Sequence, residues 1–331
     1  MSDFGVVVCC CKFDYFLAKG CVASVRHYLG DVPITLFVDG RFDASGLAKA
    51  FDVNVWYRDQ VKDAWLREFN RGWGLPKMTL FWESPYERYL YLDCDTLVWG
   101  DVVAAHGGQG DWDMIIDEGD LISRPWIANV GSEAWVNKEY FNTEKVERLS
   151  PGFAWRKYAG EFFCSGTFFG RRGAIGLEEY KEVIRLRDEN PGVFPIGEMG
   201  LLNFMIFRAA DQGRLKLVRR PMELVCDYYM DRGVARERMK FEEGAPPRRP
   251  ERAMVLHFTD PKPLTDSRGV HEPFDYFRME ALRRISGSGS GWRIRLEELP
   301  WRITTEYRQK YGRYHRWIKP FMFWRRADGS S

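Results

Sequence analysis

Short, unbroken apolar runs recur along the first part of the chain, each cut off by a polar or glycine-bearing turn. Phe4 to Cys10 is the first, and a run apolar on both faces is what a central parallel strand requires. Phe16, Val22, Val25 and Tyr28 then recur at helical spacing across Asp14 to Tyr28, and Gly30-Asp31 stops that helix. Ile34 to Val38 reads as a second strand ending at Asp39-Gly40, Val53 to Trp56 as a third, and Tyr89 to Leu92 and Asp113 to Asp117 as two more. Strand and helix alternate, so the pattern predicts an α/β, doubly wound sheet. Such sheets bind ligands beyond the carboxyl ends of their strands.

One of those ends stands out. The run RYLYLDCDTLVWGD, Arg88 to Asp101, leaves a buried strand straight into Asp93-Cys94-Asp95. Two carboxylates at i and i+2 repel each other there, and neither tolerates burial as an anion without a partner. A divalent cation removes both difficulties, and hard oxygen ligands suit Mg2+ or Mn2+. The plain alternative is a turn whose aspartates cap the next element.

LYLDCDTLV resembles the Asp-x-Asp motif of nucleotide-sugar glycosyltransferases of the GT-A fold, most of all glycosyltransferase family eight, the glycogenin and lipooligosaccharide galactosyltransferase group. The resemblance runs from about Gly5 to Pro263. It implies a Rossmann-like, mixed but mainly parallel sheet and a metal held by Asp93, Asp95 and His257. His257 ends the run Met254 to Phe258, before Thr259-Asp260-Pro261-Lys262-Pro263, which is similar to the family's His-x-x-Gly-x-x-Lys-Pro signature. Asp260 stands where the family has Gly, and Lys262 comes one residue early. The resemblance implies that Lys262, and Lys77 in the helix opened by Gly74-Leu75-Pro76, meet the diphosphate or the sugar. Tyr15 and Asp39, at the ends of the first two strands, are expected to meet the base and ribose. Glu198, in IGEMGLLN, replaces the family's Asp, and Met199 its Gln. With Asp117, Glu198 is expected to orient the acceptor hydroxyl or steady the oxocarbenium-like carbon. In FFCSGTF, Cys164 stands where an Asn commonly contacts the sugar. The implied reaction is transfer of a hexose from a nucleoside diphosphate sugar, UDP-hexose by resemblance, to a hydroxyl of a glycan, glycolipid or other acceptor, with retention and with Mn2+ or Mg2+ as cofactor.

Composition narrows the picture further. At 331 residues and 45% hydrophobic, the chain can bury a large core. Its net charge of +2 is uneven, because residues 292–331 hold ten Lys/Arg against four Asp/Glu and leave the body slightly acidic. A body of that charge argues against a nucleic-acid partner. The expected organisation is a catalytic domain over 1–285 (donor half about 1–117, acceptor half about 118–263), a Ser/Gly linker at 286–291 and a basic, aromatic helical extension over 292–331. Tyr307, Tyr311, Tyr314, Ile318 and Phe321 lie at helical spacing among arginines and lysines, which suits either an anionic membrane surface or packing on the domain. Trp126 to Trp155 lies in a Gly-, Pro- and Trp-rich stretch and reads as an irregular substrate-binding region or lid. Seven scattered cysteines, three of them consecutive, read as small buried hydrophobes of a reducing compartment. With neither a membrane-length apolar run nor a signal peptide, the expected location is cytoplasmic, peripheral to a membrane at most. Two rivals remain at this point. One is a non-catalytic nucleotide-sugar or carbohydrate-binding module of the same fold, which Cys164 and Met199 favour. The other is a nucleotidyltransferase, which the lack of a Gly- and Arg-rich loop after the first strand disfavours.

Overall fold

The structure is a computed structural model, and it describes residues 3–72, 74–107, 110–227, 252–259, 262–264, 272–287 and 291–303. Among the described residues, ten strands make two sheets: β1 (Phe4–Cys11), β2 (Ile34–Asp39), β3 (Val53–Tyr57), β4 (Arg88–Asp93), β5 (Thr96–Trp99), β6 (Met114–Asp117), β7 (Thr167–Arg171), β8 (Leu217–Arg220), β9 (Glu223–Cys226) and β10 (Met254–Phe258). The large sheet has the order β3-β2-β1-β4-β7-β6-β8, and the small one β5-β10-β9. Strands β3, β2, β1 and β4 run parallel, β7 is antiparallel to both its neighbours, and β6 and β8 are parallel. This is a mixed, mainly parallel sheet, and the helix Glu272–Ser286 packs on the helices Tyr15–Leu29 and Ser45–Phe51.

Alternation along each strand builds a core on both faces. Val6, Val8, Leu90 and Leu92 face the helix Tyr15–Leu29, while Val7, Tyr89 and Tyr91 pack with Phe168 and the helix Gly197–Asp211 on the other side. The consecutive cysteines obey the same rule. Cys10 joins the first core, Cys9 packs against the second, and every cysteine is a free thiol.

The stretch Trp126 to Trp155 is not the irregular excursion its composition predicts. It folds into helices Glu133–Glu139 and Thr143–Leu149, capped by Ser132 and Asn142, whose side chains accept from the backbone N–H of Trp135 and Lys145. Trp135, Tyr140, Phe141, Phe153 and Trp155 are buried in the second core. A segment that buries five large aromatic rings is a packed layer, because each contributes its hydrophobic area to the fold.

The C-terminal pair of helices is fastened rather than tethered. Arg278 and Glu298, 1% and 0% exposed in their side chains, form an ion pair of 2.6 Å between Glu272–Ser286 and the helix 291–303. Ser286, expected in the linker, closes the first of these helices. The opposite face of 291–303 turns Trp292, Leu296, Leu299 and Ile303 outward. The expected helix through Tyr307 to Phe321 lies outside the described residues. Among the described residues, no helix is long and apolar enough to cross a membrane.

Candidate active site

The chain steps from one sheet to the other at Asp93-Cys94-Asp95, and that step builds the site. Strand β4 ends at Asp93 in the large sheet, while Thr96 begins β5 in the small one. The turn is pinned from several sides. Asp93 N–H donates to Gly166 O at 2.8 Å, Thr96 Oγ1 to Asp93 O at 2.7 Å, and Phe258 N–H to Asp95 O at 3.0 Å. In the antiparallel pairing of β10 with β5, His257 sits opposite Thr96. A residue more than 160 positions downstream thereby arrives beside the acidic pair. His257 Nε2 is 3.5 Å from Asp95 Oδ1, and ligand atoms of Asp93, Asp95 and His257 lie within 4.8 Å of one another.

Two lysines balance the carboxylates. Lys262 Nζ donates to Asp95 Oδ2. Lys77 is 1% exposed, and its Nζ reaches Asp93 Oδ2 at 3.1 Å, Glu198 Oε1 at 2.9 Å and Ser165 O at 3.0 Å. Burial opposes the Lys77 charge, but Asp93 and Glu198 outweigh it and hold the ammonium above its ordinary range. The two aspartates are pushed apart. Burial raises the Asp93 carboxyl, whereas for Asp95 the opposing effect of burial is overcome by Lys262 and His257, which hold it well below the usual carboxylate range.

His257 is braced from behind. Its Nδ1 lies 2.7 Å from Glu223 Oε1, a fully buried carboxylate on β9, which fixes the ring with Nε2 turned toward Asp95. Carboxylate bracing of this kind is what metal-binding histidines carry. Burial works against a charged ring here, but the surrounding anions, Asp95 among them, raise its pKa well above the ordinary value. Two glycines make room for the assembly. A Cβ on Gly166 would meet His257 Cε1 at 2.1 Å, and one on Gly74, at φ +76°, would meet the Glu198 carboxylate at 2.2 Å.

A cleft of about 300 Å³ opens over this centre. Its lining includes Asp14, Asp39, Lys77, Asp93, Asp95, Glu198 and Lys262, together with Cys9, Cys10 and Cys11 at the end of β1. Asp39 lines the cleft, with Oδ2 accepting from Gly72 N–H at 2.8 Å and Oδ1 paired with Arg58 at 2.7 Å. Tyr15 is not in the lining. Its ring packs on Phe42 at 4.8 Å and lies under the Lys19 ammonium. Asp117 requires a correction. It is 1% exposed and accepts from the backbone N–H of Met222 and Glu223 at 3.1 and 2.9 Å, so it holds the start of β9 rather than reaching a substrate. Burial, with nearby Glu223, lifts its pKa to about 7.

The sequence reading passed over Glu223, Asp14, Ser165 and Tyr91. Tyr91 OH donates to Asp93 Oδ1, and Ser165 Oγ to Glu198 Oε1 at 2.9 Å. Tyr91 was visible as the residue two before Asp93 on one strand face, whereas Glu223 carried no local signal.

A seven-stranded sheet with one reversed strand, an acidic turn at the step between sheets and a histidine returned from the small sheet together define a GT-A architecture. Solved structures share it. The apo structure of the bifunctional glycosyltransferase WbbM superposes with a TM-score of 0.57, at 12% identity over 89% of this chain and 52% of that one. The apo glycosyltransferase GlyE of Streptococcus pneumoniae TIGR4 superposes at 0.52, with 14% identity over 87% of this chain and 63% of its own. The galactosyltransferase LgtC, solved with donor and acceptor sugar analogues, superposes at 0.48 with 15% identity over 86% and 96% of the two chains. This chain thus spans about half the length of WbbM and less than two thirds of GlyE. At such identities the likeness to WbbM and GlyE establishes the fold alone. No protein-family profile and no curated protein sequence matches the chain.

Proposed function

We propose that this chain is a metal-dependent glycosyltransferase that moves a hexose from a nucleoside diphosphate sugar, UDP-hexose foremost, to a hydroxyl acceptor with retention of configuration. The observation that carries the reading is the meeting of Asp93, Asp95 and His257 within 4.8 Å, at the edge of a cleft that two lysines also line. The donor set suits Mn2+ or Mg2+. It offers two carboxylates and one imidazole nitrogen, and the ring is already oriented by Glu223. When bound there, such an ion supplies Lewis-acid stabilisation of a departing diphosphate.

The chain's own residues do the rest. Lys262 on Asp95 and Lys77 between Asp93 and Glu198 bring positive charge to the side of the cleft where the leaving phosphates collect negative charge. Donor phosphates compete with the carboxylates for these ammonium groups, so the ion pairs of the free protein open as the donor enters. Glu198, held by Lys77 and Ser165, faces the same cleft and is placed to orient an acceptor hydroxyl or to steady positive charge at the sugar carbon. Asp39, in the same lining, is the residue for the nucleoside. Asp117 takes no part.

The test is release of UDP from a panel of UDP-hexoses in the presence of Mn2+. We expect turnover by the wild-type chain and a loss of at least about 100-fold in Asp95→Ala. Wild-type protein that turns over no nucleotide sugar, or Asp95→Ala as active as wild type, contradicts the reading. A pure binding module would bind donor and release nothing.

A further inference from the structure

The imidazole of His257 has two nitrogens, and only Nε2 faces Asp95. Nδ1 looks the other way, at Glu223 Oε1 2.7 Å away and Cys164 Sγ 3.5 Å away. We propose that Cys164, Glu223 and Nδ1 of His257 form a second metal site, for a borderline-soft divalent cation of the zinc type. Glycosyl transfer neither needs nor uses it.

Geometry comes first. Ligand atoms of the three residues lie within 4.8 Å of one another, and all three are buried. Around tetrahedral zinc, with Zn–N near 2.0 Å and Zn–S near 2.3 Å, the nitrogen-to-sulfur edge is roughly 3.5 Å, a separation Nδ1 and Sγ already have. The corresponding nitrogen-to-oxygen edge is roughly 3.3 Å. Glu223 therefore has only to draw back by about half an ångström, exchanging a hydrogen bond for a coordinate bond.

A second observation points to a missing partner. Glu223 Oε2 is buried and, among the described residues, accepts no hydrogen bond, on a side chain that is 0% exposed. Buried carboxylate oxygens are ordinarily satisfied. A cation gripped by both oxygens of Glu223 would give Oε2 the partner it lacks. On binding, Cys164 Sγ and His257 Nδ1 each give up a proton to solvent, and thiolate and carboxylate then balance the two positive charges of the ion. The donor set also separates the two sites chemically. A thiolate selects zinc or cobalt, while the oxygens of Asp93 and Asp95 suit magnesium or manganese. Because the ring is shared, occupancy has a consequence. With Nδ1 on zinc, Nε2 keeps its proton and is lost as a ligand beside Asp95.

Cobalt(II) is the probe, titrated into the full chain under reducing conditions. The expected result is a near-ultraviolet thiolate-to-cobalt charge-transfer band that saturates at a single equivalent, disappears in Cys164→Ser and persists in Asp93→Asn. No such band in the wild type, or the same band in Cys164→Ser, overturns the proposal. If Cys164→Ser fails to fold, peptide-resolved alkylation of the wild-type chain decides. Zinc should shield Cys164 selectively, and shielding confined to other cysteines refutes the site. A chain that takes cobalt through Cys164 yet binds no manganese counts against the catalytic reading alone and leaves this inference standing.

Discussion

A methyl group on Gly166 would lie 2.1 Å from His257 Cε1 and 2.3 Å from Nδ1, closer than any real contact. The ring cannot move toward Glu223, which already holds it at 2.7 Å, so Gly166→Ala displaces it from the acidic pair. We expect a loss of about 1–3 kcal/mol of stability from overpacking and a weakening of Mn2+ binding of about tenfold from the disturbed ligand. Gly152→Ala is the control. A Cβ there would meet nothing within 4 Å, and it should change stability by less than about 0.5 kcal/mol. Chemical denaturation and manganese titration of both variants check this. Asp14 gives a second prediction, in pH. Burial raises its pKa from 3.8 to about 6, although it accepts Cys11 N–H at 2.6 Å. A carboxyl whose folded-state pKa is raised binds its proton more tightly in the folded chain. Its contribution is therefore full below its ordinary value and is lost as pH rises through about 6. Asp14→Asn keeps the acceptor oxygen and removes the charge. Above pH 6 it should be more stable than wild type by about 1–3 kcal/mol, and by denaturation the difference should vanish near pH 4.

At the scale of elements, the helix 291–303 is fastened by a buried charge pair. Arg278 and Glu298 are both withdrawn from water, and the Arg278 guanidinium also lies over the Phe16 ring at 4.9 Å. Arg278→Met takes from the buried Glu298 its fully buried counter-charge and leaves it paired with the partly exposed Arg302. The expected cost is about 3–5 kcal/mol, much of it recovered in Arg278→Met with Glu298→Leu, because two apolar partners need no counter-charge. Thermal melts of both variants, with hydrogen exchange over 291–303, read the effect. Elements also show where sequence reading succeeds and fails. Continuous apolar strands such as Phe4–Cys11 and Ile34–Asp39 were legible because burial on both faces leaves no other pattern. The stretch 126–155 reads as irregular from its Gly, Pro and Trp content, although Ser132 and Asn142 are ordinary helix N-caps. There, cap chemistry was the better signal than composition.

At the scale of the molecule, the site is a product of topology. Asp93 and Asp95 were legible because both lie on one short stretch, and His257 because a strand end followed by a lysine carried a family pattern. Glu223 was not legible, since it reaches His257 across a pairing of β9 with β10 that no local pattern encodes. Nor was the burial of Lys77 legible. A lone lysine reads as a surface charge until Asp93 and Glu198, from two separate elements, are seen to close on it. Asp117 shows the reverse error, where a carboxylate at a strand end looked like a substrate group but serves the backbone of β9. The account therefore rests on one meeting of distant residues around a cation and a diphosphate. Crystals soaked with UDP and Mn2+, measured at the manganese absorption edge, test it most directly. The account predicts an anomalous peak in coordination contact with Asp95 and with His257 Nε2, and with diphosphate oxygens in the same shell. Bound UDP with no such peak, or a peak remote from both side chains, contradicts it.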